Sequence, residues 1–455
     1  MPIIGLEIHA YLNTKEKLFC SCKAEHGLKS ASPNSNICPI CTGQPGSKPM
    51  LPNSSAIDKV IQIGLILNCK ISSEIVWQRK HYSWPDLPKG YQNTISGFHA
   101  LPNCLNGKFL GIRIRECHIE EDPAAWNPQT GEIDYNRSGS PLIEIVTEPD
   151  FKSSEEVVEW LKHLRIALGY VKAIDKEAGL KADVNISLPE KKGVRVEIKN
   201  VNSLKNIEEA IKYEISRQEK EVPKLQETRR YDTEKKVTMK MRSKEDAEDY
   251  RFISDPDLPV LEIATSRIEK IKKSLPETPQ EKLKKLVSNY KIPKKSAEIL
   301  TKNIDIVEFF EKVLKKINPG LAIRWVTEEL LSVLNYNKKS LDEIDLSTEH
   351  FIELLKMIEK NILTELKAKE VLRSWKEKSE SPLEFAEKNS QIFDKGEIEK
   401  IIEKVIKENS KAVEDYKQGN ENALNFLIGQ VMKLTEKRAD YKTARGILEG
   451  MLNGS

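Results

Sequence analysis

The chain has 455 residues, with 73 basic and 70 acidic side chains, a formal charge of +3, 39% hydrophobic residues and 31% charged ones. That length accommodates two or three domains, each with its own core. The near balance of charge excludes a chain-wide field that gathers nucleic acid, so any such binding must be local. No 18-residue apolar run and no signal-peptide pattern is present, which predicts a cytoplasmic protein with no membrane partner.

Met1 to Leu12 alternates Ile4, Leu6 and Ile8 with Gly5, Glu7 and His9, the period of a half-buried strand. Glu7 and His9 then share one face, two metal-capable side chains on one strand. Cys20 and Cys22 precede the pair Cys38 and Cys41. Two close cysteine pairs on tight turns suit tetrahedral Zn²⁺, with no open position left for chemistry, so the ion would be structural. His26 is a substitute ligand in reserve. The remaining three cysteines are scattered, which fits free thiols rather than a disulfide framework. A Gly- and Pro-rich loop leads to a helix near residues 55–67. Trp77 to Gly97 carries Lys80, His81, Tyr82 and Lys89 on a Pro-stiffened backbone and reads as a substrate loop or a packed surface loop.

The densest chemistry lies between His118 and Asp150. Glu120, Glu121 and Asp122 form one acidic run, Arg137 follows, and Glu144 and Glu148 interrupt an apolar strand-like segment. Carboxylates so close repel unless a cation divides them, and Mg²⁺ takes oxygen ligands together with waters and substrate phosphates. Ser153 to Glu156 is a capping box that starts an amphipathic helix ending near Gly169. Two short alternating strands follow, one presenting Lys181, Asp183, Asn185 and Ser187, the other Arg195, Glu197 and Lys199. Ser203 caps a second helix running to about Glu221, so a strand-turn-helix unit occurs twice. Arg229, Arg230, Arg242, Lys244 and Arg251 lie between carboxylates, a mixture suited to clamping phosphate. Neither GxxxxGK[ST] nor GxGxxG occurs, so a bound nucleotide would need neither loop.

From Ile268 onward Lys, Glu, Leu and Ile dominate at helical spacing. The stretch Arg267 to Lys295 is the most basic, with ten Lys or Arg against three Glu. A break near 411–422 precedes a last helical pair, with Phe426, Leu427, Val431 and Leu434 as a core stripe. Lys433, Lys437, Arg438 and Lys442 form a small basic face able to meet phosphates. The expected fold class is α+β, divided as 1–265 with a zinc-binding insertion at 18–45, a helical domain 266–405 and a helical tail 406–455.

Ten segments, GLEIHAYL, KLFCSCK, CPICTGQPG, HIEEDP, DYNRSGSPLIEIVTEPD, ADVNIS, VEIKNVNS, QETRRYD, MRSKEDAEDYRFISDPDLP and LNFLIGQVMK, stand in order along the chain. Together they resemble the GatB/GatE family of tRNA-dependent amidotransferase subunits, and the GatB branch in particular, because the chain has no room for the inserted domain of GatE. The resemblance implies an antiparallel-sheet catalytic domain similar to the glutamine synthetase and guanido kinase group, and a tail similar to the YqeY family. It implies an ATP-dependent ligase that phosphorylates the side-chain carboxylate of Glu-tRNA(Gln) or Asp-tRNA(Asn). Ammonia from a glutaminase subunit, GatA, then displaces phosphate, in a heterotrimer with the small subunit GatC. The implied cofactors are ATP, Mg²⁺ and structural Zn²⁺. Carried over by position, Glu7, His9 and Glu121 are the Mg²⁺ ligands, with Glu144 or Glu148 next. Arg137 and Lys199 are the phosphate or carboxylate contacts, with Lys181 and Arg242 also on the nucleotide, and Cys20, Cys22, Cys38 and Cys41 hold zinc. Two departures stand out: Pro123-Ala124-Ala125 replaces the family's Ala-Gly-Lys, and Phe252 to Asp257 departs from its YFPDPD. The competing expectation is a non-catalytic, zinc-bearing tRNA-binding accessory.

Overall fold

The structure is a computed structural model that describes residues 1–455 except 25–30, 98–99, 176–177, 244–249, 393 and 454–455, and the side chains of Asn200, Arg242 and Ser243. His26 and Lys244 therefore lie outside the described residues, as does the side chain of Arg242. The chain divides into two compact units, Met1–Thr278 and Pro279–Ser455.

The first unit opens with β1 (Ile3–Tyr11), α1 (Ser54–Ile66), β2 (Lys70–Ile71), β3 (Glu74–Ile75), β4 (Gln78–His81), β5 (Gln92–Thr94), β6 (Cys104–Phe109), β7 (Ile112–Glu121), β8 (Ala125–Trp126) and β9 (Ile133–Asp134). It continues with β10 (Pro141–Thr147), α2 (Ser154–Tyr170), β11 (Leu180–Ser187), β12 (Val196–Val201), α3 (Leu204–Lys220), β13 (Glu227–Asp232), β14 (Val237–Ser243), β15 (Arg251–Ser254), β16 (Leu261–Glu262) and α4 (Thr265–Ser274). Among the described residues one 12-stranded sheet runs β14-β13-β12-β11-β1-β10-β7-β5-β4-β15, with β6 and β2 branching from β7. β1 lies in its middle, paired antiparallel with both β10 and β11.

The sheet is mixed rather than purely antiparallel: β12 pairs with β13 in parallel. The physical reason is α3, which carries the chain back over the sheet between them, as a parallel pair requires. The earlier strand-turn-helix unit does the same with a difference, since β1 is inserted between β10 and β11. Both crossover helices open on a serine whose hydroxyl accepts a backbone amide, Ser153 from Glu156 and Ser203 from Asn206.

Ile4, Leu6, Ile8 and Ala10 of β1 point into the core beneath α1, α2 and α3 and are at most 1% exposed. Burying each of the larger three contributes roughly 1.5–3 kcal/mol. Trp160 of α2 packs edge-on against Phe151 and Phe109, and its indole N–H donates to the Phe109 carbonyl at 2.9 Å. A Cβ on Gly64 of α1 would sit 2.4 Å from the Cys104 Sγ, so only glycine lets that helix approach the strands. Helices thus cover one face of the sheet. The alternate side chains of the same strands are left on the other.

In the second unit the regular elements are helical, from Pro279–Ser288 to Tyr441–Asn453. From residue 265 onward three expectations change. The stripe of the helix Glu421–Leu434 is Leu424, Leu427, Ile428 and Val431, whereas Phe426 and Leu434 are 49% and 45% exposed. Positions 424, 427, 428 and 431 follow the i, i+3, i+4, i+7 face, 426 falls outside it, and 434 is the last residue of the helix. The expected break at 411–422 shrinks to a short turn, because the helix Ser410–Lys417 occupies most of it and Asn420 already caps the next. α4, expected in the helical region, lies in the first unit, where it packs on α1 and Arg267 bonds Asp58 at 2.7 Å.

Candidate active site

Strand alternation places Glu7, His9 and Tyr11 of β1 on the face opposite the core. The register sets their neighbours: His9 lies between Glu144 of β10 and Lys181 of β11, and Glu144 lies beside His118 of β7. Glu7 lies beside Asp183. A row of charged side chains from five strands therefore crosses one open face. Its ladder is pinned at the bulge after Val146, where the Thr147 hydroxyl accepts the Leu6 amide at 2.9 Å.

Two groups of possible metal ligands form on this face. In the first, single ligand atoms of His9, Glu120 and Glu144 lie within 4.8 Å of one another. Glu144 Oε2 is 3.1 Å from His118 Nε2 and 3.6 Å from His9 Nε2. Thr94 and Gln92 donate to Glu120 at 2.8 and 3.2 Å. Burial pushes His118 toward neutrality, but Glu144, Glu116 and Glu120 outweigh it and hold its pKa well above the ordinary histidine value. The same pairing outweighs burial for Glu144 and holds that carboxyl well below the usual range. The second group is Glu7, Asp183 and Glu197, again within 4.8 Å. Burial, then Glu144 and Glu197, raises the Glu7 carboxyl, while Asn185 donates to it at 3.0 Å. Lys199 stands 3.0 Å from Asp183 and 3.1 Å from Glu197. Burial alone would lower this ammonium; those carboxylates raise it instead.

A cleft of about 180 Å³ opens over the first group, lined by His9, Tyr11, Gln92, Glu120, Asp122, Leu142 and Lys181 among others. Of the residues expected from sequence, Glu7, His9, Glu144, Lys181 and Lys199 meet on this face. Glu121 does not. Adjacent residues of a strand point to opposite sides, and Glu121 turns away from the cleft to bond Lys89 Nζ at 2.5 Å and the Asn93 amide at 2.8 Å. Glu148 pairs with Arg115 at 3.1 Å toward solvent. Arg137 is tied to Asp122 at 3.0 Å and donates to the Pro123 and Ala124 carbonyls at 3.0 and 2.7 Å, so it braces that turn. Tyr11 reaches the same Asp122 through its hydroxyl. Arg229, expected to clamp phosphate, is locked against Glu227, Thr238 and the fully buried Glu214. Sequence reasoning undervalued Glu120, His118, Asp183 and Glu197. For Asp183 and Glu197 the available signal was the period of two, since they sit two positions from Lys181 and Lys199 on their strands; for His118 and Glu120 there was none, because the assigned residue of their strand, Glu121, lies an odd number of positions from both.

The Sγ atoms of Cys20, Cys22, Cys38 and Cys41 lie within 4.8 Å of one another, all four as free thiols. A hydrogen bond from Cys20 lowers Cys41 toward the thiolate, which Lys17 also favours. A tetrad of soft donors at this spacing fits a closed Zn²⁺ site. The module adjoins the loop that carries Arg137: Ser138 donates to the Cys41 carbonyl at 2.8 Å, the Asn36 amide to Asn136 at 2.8 Å, and Lys17 to the Tyr135 carbonyl at 3.2 Å.

Comparison with known proteins gives the family. Residues 2–269 match the family described as the GatB/GatE catalytic domain, and residues 308–452 match the GatB domain with its YqeY segment. The chain is 43% identical to the B subunit of the aspartyl/glutamyl-tRNA(Asn/Gln) amidotransferase of Methanocaldococcus jannaschii, over 99% of this chain and 97% of that one. It is 44% identical to the protein of the same name from Methanothermobacter thermautotrophicus over 96% and 97%, and 40% identical to that of Methanopyrus kandleri over 99% and 98%. No helix among the described residues is long and apolar enough to cross a membrane. With both family domains matched and the relatives aligned over nearly their whole length, the chain belongs to the GatB/GatE family.

Proposed function

We propose that this chain is the GatB component of a tRNA-dependent amidotransferase, converting misacylated Glu-tRNA(Gln), Asp-tRNA(Asn) or both to the amidated forms. The tRNA-linked carboxylate attacks the γ-phosphorus of ATP, ADP leaves, and ammonia from a glutaminase subunit then attacks the acyl carbon as phosphate departs. The expected assembly includes that glutaminase, GatA, and a small subunit, GatC. The observation that carries the reading is the pair of ligand groups on one open face, flanked by Lys181 and Lys199.

Both reactants are anions, so the site must neutralise charge and align them. Glu7, Asp183 and Glu197 offer the all-oxygen set that a hard cation takes, and His9, Glu120 and Glu144 offer two carboxylates and an imidazole. A divalent cation bound there supplies the electrostatic shielding that lets phosphate and carboxylate approach. The protein's own part is orientation: His118 fixes Glu144, Thr94 and Gln92 fix Glu120, and Asn185 fixes Glu7. Lys181, at the cleft wall, is available to a phosphate. Glu121 holds Lys89, and the loop bearing it, from the far side.

The test is a pair of neighbours in the assembled complex, read as tRNA-dependent ADP formation. Glu120→Gln lowers the rate by at least about 100-fold, the cost of losing a directly acting electrostatic group. Glu121→Gln stays within about tenfold of wild type, the range for a supporting contact, and lowers Tm. The reverse order of effects would remove the assignment of Glu120.

A further inference from the structure

The loop Tyr82–Asp86 runs beside the segment Asp122–Trp126 at the cleft. The Ala124 amide donates to the Asp86 carbonyl at 2.8 Å, and the charges of Asp86, Glu120 and Asp122 all act on the Tyr82 hydroxyl. Beyond this seam stand two indoles. Trp84 and Trp126 meet edge to face, with centroids 5.6 Å apart and planes at 64°. Trp84 is 53% exposed and Trp126 is half-buried, and neither joins the core. An edge-to-face pair leaves ring surface open, and an open indole face is what an unpaired base stacks upon.

Resting on the reading above, we propose that Trp84 and Trp126 form a stacking platform for the 3′-terminal base of the tRNA acceptor end. Reach supports this occupant. Pro123 lines the cleft, and Trp126 follows three residues later, at most about 10 Å along the chain. The path from a glutamyl side-chain carboxyl through the ester and ribose to the base is nine bonds, also roughly 10 Å. Charge separates this occupant from the adenine of ATP. Between cleft and indoles lie Asp122 and Asp86, and Arg137 beside them is engaged with Asp122 and two backbone carbonyls. That acidic seam disfavours a triphosphate and tolerates the neutral ester and ribose of an aminoacylated end. The ammonium groups of Lys181 and Lys199 lie on β11 and β12, across β1 and β10 from the strands that bear this seam.

The experiment compares wild-type, Trp84→Ala, Trp126→Ala and Trp84→Phe complexes in steady-state amidation, and measures Kd for uncharged tRNA with and without its terminal adenosine. Trp84→Ala raises KM for misacylated tRNA about 5- to 100-fold, the loss of one stacked base. The kcat at saturating tRNA stays within about threefold, as expected for a contact kept equally in ground and transition states. Trp84→Phe recovers most of the loss, and removing the terminal adenosine weakens binding in wild type but not in Trp84→Ala. An unchanged KM for tRNA in both alanine variants overturns the proposal. So does a rise in the KM for ATP instead, or a phenylalanine variant as weak as alanine. Absence of tRNA-dependent ADP formation in the wild-type complex sinks the proposed function alone, because the terminal-adenosine difference in Kd still decides the platform.

Discussion

Glu148 shows how much a partner decides the role of a carboxylate. It sits four positions after Glu144, past the bulge between Val146 and Thr147, and Arg115 takes it at 3.1 Å with the guanidinium half exposed. The hydrogen bond from Arg115, more than the small opposing effect of burial, holds its carboxyl below the ordinary value. A depressed carboxylate stabilises the fold above the unfolded pKa, near 4.3, and loses that contribution as pH falls through the lower folded value. The stability difference between wild type and Glu148→Gln should therefore be present at pH 7 and shrink as pH drops from about 5 to about 3. Exposure and salt keep it below about 1 kcal/mol. Activity at pH 7 should stay within about threefold of wild type, as for a surface ion pair away from the chemistry. Urea unfolding across that pH range, with ADP formation at pH 7, measures both; a loss of turnover of 100-fold would restore Glu148 to the metal ligands.

Among the elements, the cysteine module has the widest reach. Its turns are bonded to residues 134–138, the loop from which Arg137 braces Asp122 and the Pro123 turn. Removing the metal should therefore act at the cleft as well as on stability. Cys38→Ser should hold less than half an equivalent of zinc by metal analysis and lower Tm by roughly 5 °C or more, since the energy of a structural zinc site is folding energy. Full zinc in Cys38→Ser, or an unchanged Tm after chelation, would remove the structural site. α3 offers a second lesson at this scale. Glu214, wholly buried on that helix, collects Arg217, Arg229 and Gln218. The arginine that resembled a phosphate clamp thus fastens a helix to the sheet edge. Composition presents the cations, but only packing shows which of them already hold an internal anion.

At the scale of the whole molecule, the division between Thr278 and Pro279 separates the cysteine tetrad and the cleft residues from the helical unit. A fragment of residues 1–278 should keep one equivalent of zinc and unfold cooperatively. Its tRNA affinity should fall by at least about tenfold, with a shallower salt dependence, if the basic helices of the second unit contact phosphates. Filter binding at two salt concentrations checks this, and equal affinity of fragment and full chain would place the tRNA contacts in the first unit. Much of this organisation was legible in the residues themselves. Period-two alternation placed Glu7 and His9 on one face, the spaced cysteine pairs marked the four-cysteine cluster, and serine caps marked the two crossover helices, because each is a local pattern that strand, turn or helix geometry imposes. Pairing across the sheet was not legible. Tertiary structure alone brought Glu144 against His118, set Asp183 beside Glu7, turned Glu120 inward and Glu121 outward to Lys89, and inserted β1 between β10 and β11. Those outcomes depend on strand order and register between residues from 26 positions to well over a hundred positions apart, which no local period encodes.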